Sequence, residues 1–506
     1  MKKILLIILI FIFSISLRLW NLNSMGRTFD ESAQIELGYK IILIIKEKKF
    51  NDPLLSYPYH PPLTKYLYGW AGQYDLLGYR ENGDPIFRYD WINARIISVF
   101  FSSLTVVFIV LIGWQYISPF VGTISGIIFS SVPFFLGLSQ IASIESVLIF
   151  FFTASIYSFL NFLKKQSFIN ASIAGVLIGL AFETKYTNIL LVPLIILIYS
   201  IWYFYKNKKK NNYFNLKVIY IFLISFFMFF VLWPMPWFHL KEVIQANYQM
   251  RIVDTSHSIP EVFFGRLMLV PKIYYVVHFL ITTPILLLIL FIVGFKTVSF
   301  KKNWILYVLA VWFLFPFIQS LYNFRQHGVR YIIEIYAPFA LISAIGFDHL
   351  VSKISKRIWL KFVFFVPVII YMLAVLIRIT PYYLDYFNIL VGGTKNVYEK
   401  RLFQLGWWGQ GMREAGLYIQ KNVASGSQVA VVGGNSFSVM PSINNVSVTK
   451  YEEDRRYDYI VVSYFQVIRE GFNDIKIKNS YSPVYNVLAD GAPLVTIYRQ
   501  RQWDIY

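Results

Sequence analysis

Apolar stretches of about 20 residues, each long enough to cross a bilayer as a helix, recur along this chain with short basic runs between them. About eleven are predicted, near 4–20, 95–115, 118–138, 144–163, 169–183, 187–205, 217–234, 274–295, 304–320, 329–350 and 359–378. Of the 506 residues 57% are hydrophobic and 19% aromatic, more than a water-facing globule tolerates. The formal net charge of +20 would suit nucleic acid, but the basic residues sit where topology determinants sit, so no nucleic-acid partner is expected. The absence of cysteine excludes disulfides, thiolate metal sites and cysteine nucleophiles.

Charge sets the orientation. Met1-Lys2-Lys3 precedes the apolar run Ile4 to Leu17, and Arg18-Leu19-Trp20 follows where a signal peptide would need small residues, so an uncleaved first span with a cytoplasmic N-terminus is expected. Alternate connections are then basic: Lys164-Lys165, Lys206 with Lys208 to Lys210, Lys296 with Lys301-Lys302, and Lys353, Lys356, Arg357 and Lys361. An odd number of spans puts the longer segments 21–94 and 235–273, and everything after about 379, on the non-cytoplasmic side. Within the first of these, Ser32 to Lys48 carries Ile35, Leu37, Ile41, Ile42 and Ile45 at helical spacing, as a helix on the membrane surface would.

The composition turns soluble near Pro381. Val429 to Val432, Tyr459 to Val462 and Leu494 to Tyr498 read as buried strands, and Gly411 to Lys421 as a helix. The expected architecture is an all-α polytopic membrane domain, residues 1–379, with a small extracytoplasmic α/β domain, residues 380–506. No internal repeat is evident.

The residues suited to chemistry gather in the outer segments. Asp30-Glu31 offers adjacent carboxylates for a general base or a hard cation, or equally an acidic helix N-terminus. In Tyr59-His60-Pro61-Pro62-Leu63-Thr64-Lys65 the two prolines hold the backbone extended, presenting His60 and Lys65 rigidly or simply making a turn. Glu145 opens a span, where an acid is costly unless it functions or complements the helix dipole. Lys185 breaks the charge rule at an outer turn, as a phosphate-binding ammonium would, or a lysine paired with Glu183. Arg325, His327 and Arg330-Tyr331 form a second outward basic cluster, while Arg251, Asp254 and His257 have no diagnostic spacing.

The order and sidedness of these motifs resemble the membrane glycosyltransferases of the GT-C fold, specifically the group of protein O-mannosyltransferases and lipid A aminoarabinose transferases. The resemblance covers roughly 1–350. It rests on Asp30-Glu31, His60-Pro61-Pro62-Leu63 with Lys65, Glu145, Thr184-Lys185, Pro271-x-x-Tyr274-Tyr275 leading to Thr283-Pro284, and Arg330-Tyr331. The chain departs from the aminoarabinose transferases at Tyr59, where they carry Glu-Lys before the prolines, and at Ala33, where they carry a basic residue.

That likeness implies inverting transfer from a polyprenyl- or dolichyl-phosphate sugar to a hydroxyl of protein, lipid or glycan. Asp30 would be the general base. Glu31, His60, Lys65, Lys185, Arg330 and Tyr331 would line the substrate site, and Glu145 would contact the donor sugar or ligate a metal. No cofactor is certain, and a divalent metal stays open. The alternative within the class is a lipid-linked oligosaccharyltransferase, whose Trp-Trp-Asp signature is absent because Gly409 follows Trp407-Trp408. A transporter is less consistent, since the charges sit at span ends and not at the midplane.

Overall fold

The computed structural model describes residues 2–50, 52, 54, 60–73, 75–79, 85–88, 90–206, 215–249, 260–300, 303–321, 327–441, 443–444 and 446–501. Arg251, Asp254, His257, Arg325 and Tyr59 lie outside them. The chain divides into two compact units. The first comprises Met1–Trp20, Gln34–Ser258 and Lys272–Leu373, the second Asn21–Ala33, Ile259–Pro271 and Ala374–Tyr506.

The first unit is mostly helical. Among the described residues, five helices have the length and composition to cross a membrane: Trp91–Tyr116, Ile144–Lys164, Tyr186–Tyr205, Arg330–Ser352 and Ile358–Ile379. Two bent pairs bring the number to seven if each is one span. The helix Lys2–Leu19 and the shorter apolar helices Phe168–Phe182, Lys217–Leu232 and Trp304–Ser320 occupy the remaining apolar stretches. Where continuous spans are expected near 118–138 and 274–295, the structure instead bends by 67° between Pro119–Ser130 and Pro133–Ser139, and by 117° between Tyr274–Thr282 and Ile285–Thr297. Pro133 and Pro284 account for both breaks, because proline removes a helical donor and clashes with the preceding turn.

Helix starts follow their caps. Asp90 accepts from Asn93 N at 2.9 Å, Ser118 from Val121 N at 3.1 Å and Ser167 from Asn170 N at 3.2 Å. The helix Phe29–Lys46 does not leave its apolar side for lipid alone: Ile41 and Ile44 pack with Trp233, Met235 and Val243 in a buried cluster. It meets Leu63–Gly72 closely, since a Cβ on Gly38 would lie 2.0 Å from the Lys65 carbonyl oxygen. A two-stranded ribbon, β1 (Asp75–Tyr79) with β2 (Pro85–Arg88), completes the unit.

The second unit holds a hairpin, β3 (Glu261–Phe263) with β4 (Arg266–Met268), and a five-stranded sheet. The sheet strands are β5 (Gln428–Val431), β6 (Ser447–Lys450), β7 (Tyr459–Ser463), β8 (Tyr481–Ala489) and β9 (Ala492–Gln500), in the order β6-β5-β7-β9-β8. β5 runs parallel to both β6 and β7, whereas β9 runs antiparallel to β7 and β8. Ala430, Val432, Ile460 and Val462 bury one side of the sheet with Tyr457, Tyr481 and Tyr498. A helix, Met412–Asn422, packs on β8 and β9.

Candidate active site

In the first unit, four of the predicted residues converge. Glu145 stands in the first turn of Ile144–Lys164 with its side chain fully buried. Its Oε1 accepts from Arg330 Nε at 2.7 Å and faces Lys185 Nζ at 3.4 Å. The Lys185 ammonium lies 4.5 Å from the Tyr331 ring centroid, a cation–π contact in a desolvated setting. Glu145 Oε2 is buried without a hydrogen-bond partner. The lysine therefore pairs with Glu145 and not, as the alternative reading held, with Glu183, whose two carboxyl oxygens are buried and unpartnered.

Local structure fixes these groups. The turn presenting Lys185 is tied by Asn188 Nδ2, which donates to the Ala181 carbonyl at 2.9 Å and to Thr184 Oγ1 at 2.8 Å. The segment leading to Glu145 is held by Tyr68, whose hydroxyl donates to the Ser143 carbonyl and shares a 2.9 Å hydrogen bond with Ser98. Arg330-Tyr331 comes from the tight turn Arg330–Ile335 that opens the span running to Ser352. Sequence reasoning missed Glu334, which is buried and within electrostatic reach of Lys185 and Glu145. Its signal was an acid one turn after Arg330 in an apolar run.

His60 and Lys65 form the flank of this cluster. Lys65 Nζ donates to the His60 carbonyl at 2.7 Å, and burial pulls its pKa down to about 8. The His60 ring is 6.0 Å from that of Tyr186, the residue after Lys185, and Leu63 N donates to the Glu183 carbonyl at 3.1 Å. A cavity of about 10 Å³, room for about one water, lies among His60, Lys65, Tyr66 and Trp233.

Asp30 and Glu31 belong to the second unit. Thr28-Phe29-Asp30-Glu31 makes the carboxylate half of a capping box: Glu31 Oε2 accepts from Thr28 N at 2.9 Å and from Thr28 Oγ1 at 3.2 Å. Glu31 is buried in that role, whereas Asp30, in the same first turn, is half-buried. Within this unit Gly409 has φ +90°, and a Cβ there would come 3.2 Å from the Phe29 ring. Nearby in sequence, Asp385 is buried, accepts from Gly406 N at 2.7 Å, and is pushed up to about 7 by desolvation.

Arg330 and Lys185 both hold Oε1 of Glu145, which leaves Oε2 as the oxygen a metal ion would take. Among the described residues no group of three or more His, Asp or Glu is placed to hold a metal ion.

The fold is that of the GT-C membrane glycosyltransferases. The chain is similar to ArnT from Cupriavidus metallidurans, in a crystal structure bound to undecaprenyl phosphate, with a TM-score of 0.50 at 11% identity over 97% of both chains. It is similar to the oligosaccharyltransferase of Archaeoglobus fulgidus with a TM-score of 0.50 at 12% identity, over 99% of this chain and 75% of that one. In sequence, residues 49–246 match the dolichyl-phosphate-mannose-protein mannosyltransferase family, a stretch that contains His60, Lys65, Glu145 and Lys185. No curated protein matches the chain in sequence.

Proposed function

We propose that the protein is an inverting glycosyltransferase, moving a sugar from a polyprenyl- or dolichyl-phosphate donor to an acceptor hydroxyl on the non-cytoplasmic face of the cell membrane. The observation that carries this reading is the buried Glu145–Arg330–Lys185 cluster, two cations fixed by one carboxylate at the mouth of a span. Buried charge of this kind is costly in a membrane protein, which supports reading the cluster as a substrate site.

In the proposed reaction the acceptor oxygen attacks the anomeric carbon, and the bond from that carbon to the phosphate oxygen breaks. The electron pair leaves on the lipid phosphate. Lys185 and Arg330 stabilise that charge as it grows, and Glu145 keeps both in place so that little reorganisation is needed. The flanking Lys65 and His60 extend the anion site. Asp30 takes the acceptor proton; Glu31, committed to the helix cap, leaves Asp30 as the accessible acid of the pair. A single displacement inverts the anomeric centre. The undecaprenyl phosphate bound by the Cupriavidus ArnT is the type of carrier proposed here. The acceptor is a protein, lipid or glycan hydroxyl, and no step requires a metal at Glu145. The eleven apolar helical stretches are proposed as eleven crossings, with the N-terminus cytoplasmic and the sheet domain outside.

Transfer of radiolabelled sugar from a panel of polyprenyl-phosphate sugars to membrane acceptors tests this. Wild type should transfer, Asp30→Asn should lose about 10²-fold or more, and Lys185→Ala should fall as well. An Asp30→Asn variant as active as wild type would remove Asp30 as the base, and a wild type that consumes no donor would sink the transferase reading.

A further inference from the structure

Residues 404–411 of the second unit belong to no helix or strand, yet all of them are buried. A buried loop must satisfy its own polar backbone, and this one does so with close partners. Gly406 N donates to Asp385 Oδ1 at 2.7 Å, Trp408 N to Gln410 Oε1 at 2.7 Å, and Gly409 N to the Gly406 carbonyl at 3.1 Å. Gly406, Gly409 and Gly411 take φ of +68°, +90° and +89°, values that residues with a side chain rarely adopt. The loop is fixed to the sheet at Gly411, where a Cβ would lie 2.9 Å from Val495 of β9 and 3.2 Å from Val487 of β8.

The same loop meets residues 21–33, which belong to the same unit. Gly409 approaches the Phe29 ring, and at Gly26, with φ +82°, a Cβ would lie 2.7 Å from Cβ of Arg413, in the first turn of the helix that follows the loop. Contacts at 26 and 29 thus bracket the turn that ends in Asp30. Met25, Thr28 and Glu31 are buried around it, while Asp30 itself stays half-buried. Glu31 fixes this turn internally, through Thr28; the loop fixes it to the domain.

We propose that the loop Gly406–Arg413 is the seat of the Asp30 turn, that Gly409 is a positioning residue whose lack of a side chain admits Phe29, and that orienting the base is what the sheet domain does for transfer. A base must sit within hydrogen-bond reach of the hydroxyl it deprotonates, and a misplacement of about 1 Å costs on the order of 10²-fold in rate. A turn in an irregular connection has no such precision by itself, and a buried, internally bonded loop supplies it. The catalytic part of this proposal rests on the transferase reading; the seat does not.

The test takes two readings on the detergent-purified full chain: hydrogen exchange of the peptide spanning residues 22–31, and sugar transfer resolved into kcat and donor KM. Gly409→Ala should speed exchange in that peptide severalfold while β5 and β7 exchange as in wild type. It should also lower kcat at least about tenfold with donor KM unchanged, because a loosely held base loses rate and not donor affinity. If Gly409→Ala loosens the whole sheet, Phe29→Ala, which leaves the loop glycines in place, is judged by the same two readings. Unchanged exchange at 22–31 overturns the seat, and faster exchange there with kcat unchanged overturns the positioning role. A wild type that transfers nothing refutes the transferase reading and with it the catalytic part, and the exchange result then decides the seat.

Discussion

Lys65 shows how a single buried side chain sets a measurable pH dependence. It is 3% exposed, its ammonium has the His60 carbonyl as acceptor, and desolvation lowers its pKa from 10.5 to about 8. The unfolded chain therefore binds more protons than the folded one between about pH 8 and 10.5, so stability from this group rises with pH across that window and is lost as pH falls through about 8. The full effect is about 3 kcal/mol. Lys65→Met should remove it: unfolding temperatures in detergent, measured from pH 7 to 10.5, should climb for wild type relative to the variant. Parallel curves would show that Lys65 is not desolvated. Residues of this kind were partly legible in the sequence. Glu145, Lys185 and Arg330 stood out because each violates the composition or charge rule of its place. Their pairing did not, since it joins residues 185 positions apart in the chain. Asp385 and Glu334 were missed because an acid in an aromatic or apolar stretch looks the same whether it faces water or protein.

At the scale of helices, close crossings depend on glycine pairs that no local pattern reveals. The helix Tyr336–Ser352 continues the turn carrying Arg330-Tyr331, and it crosses Ile285–Phe300 where Gly294 and Gly346 meet. A Cβ on Gly346 would lie 2.0 Å from the Leu290 carbonyl oxygen, and one on Gly294 would lie 1.9 Å from that of Ile342. Such backbone approach is how helices associate where lipid offers no hydrophobic drive. Gly346→Ala gains about 1 kcal/mol of helix propensity, yet the clash is with backbone, and overpacking costs about 1–3 kcal/mol. The expected outcome is a lower unfolding temperature together with reduced transfer, because the displaced helix carries the Arg330 turn. A variant as stable and active as wild type would show that the crossing tolerates a wider gap. The bends at Pro133 and Pro284 tell a similar story: hydropathy finds the apolar stretch, but only the proline within it reports that the helix changes direction.

For the whole molecule, what the sequence disclosed tracks burial. β5, β7 and β9 were legible as continuous apolar runs because they lie inside the sheet, β5 and β7 with three and four buried positions. The outer strands were not: β6 has no buried residue, and β8 leaves most of its residues partly or fully exposed. The basic runs between spans made a different and stronger statement, namely which side of a membrane each connection occupies, and that statement can be checked directly. The natural chain contains no cysteine, so single cysteines report position without background. Ser425 is exposed in a turn of the sheet domain, and Lys356 is exposed in a basic connection between two spans. With the protein in intact cells, a membrane-impermeant maleimide should label Ser425→Cys, and should reach Lys356→Cys only after permeabilisation. The reverse pattern would invert the topology and place the proposed acceptor site in the cytoplasm. Labelling of both positions in intact cells would mean that the two connections share a side, which an odd number of crossings after Lys356 forbids.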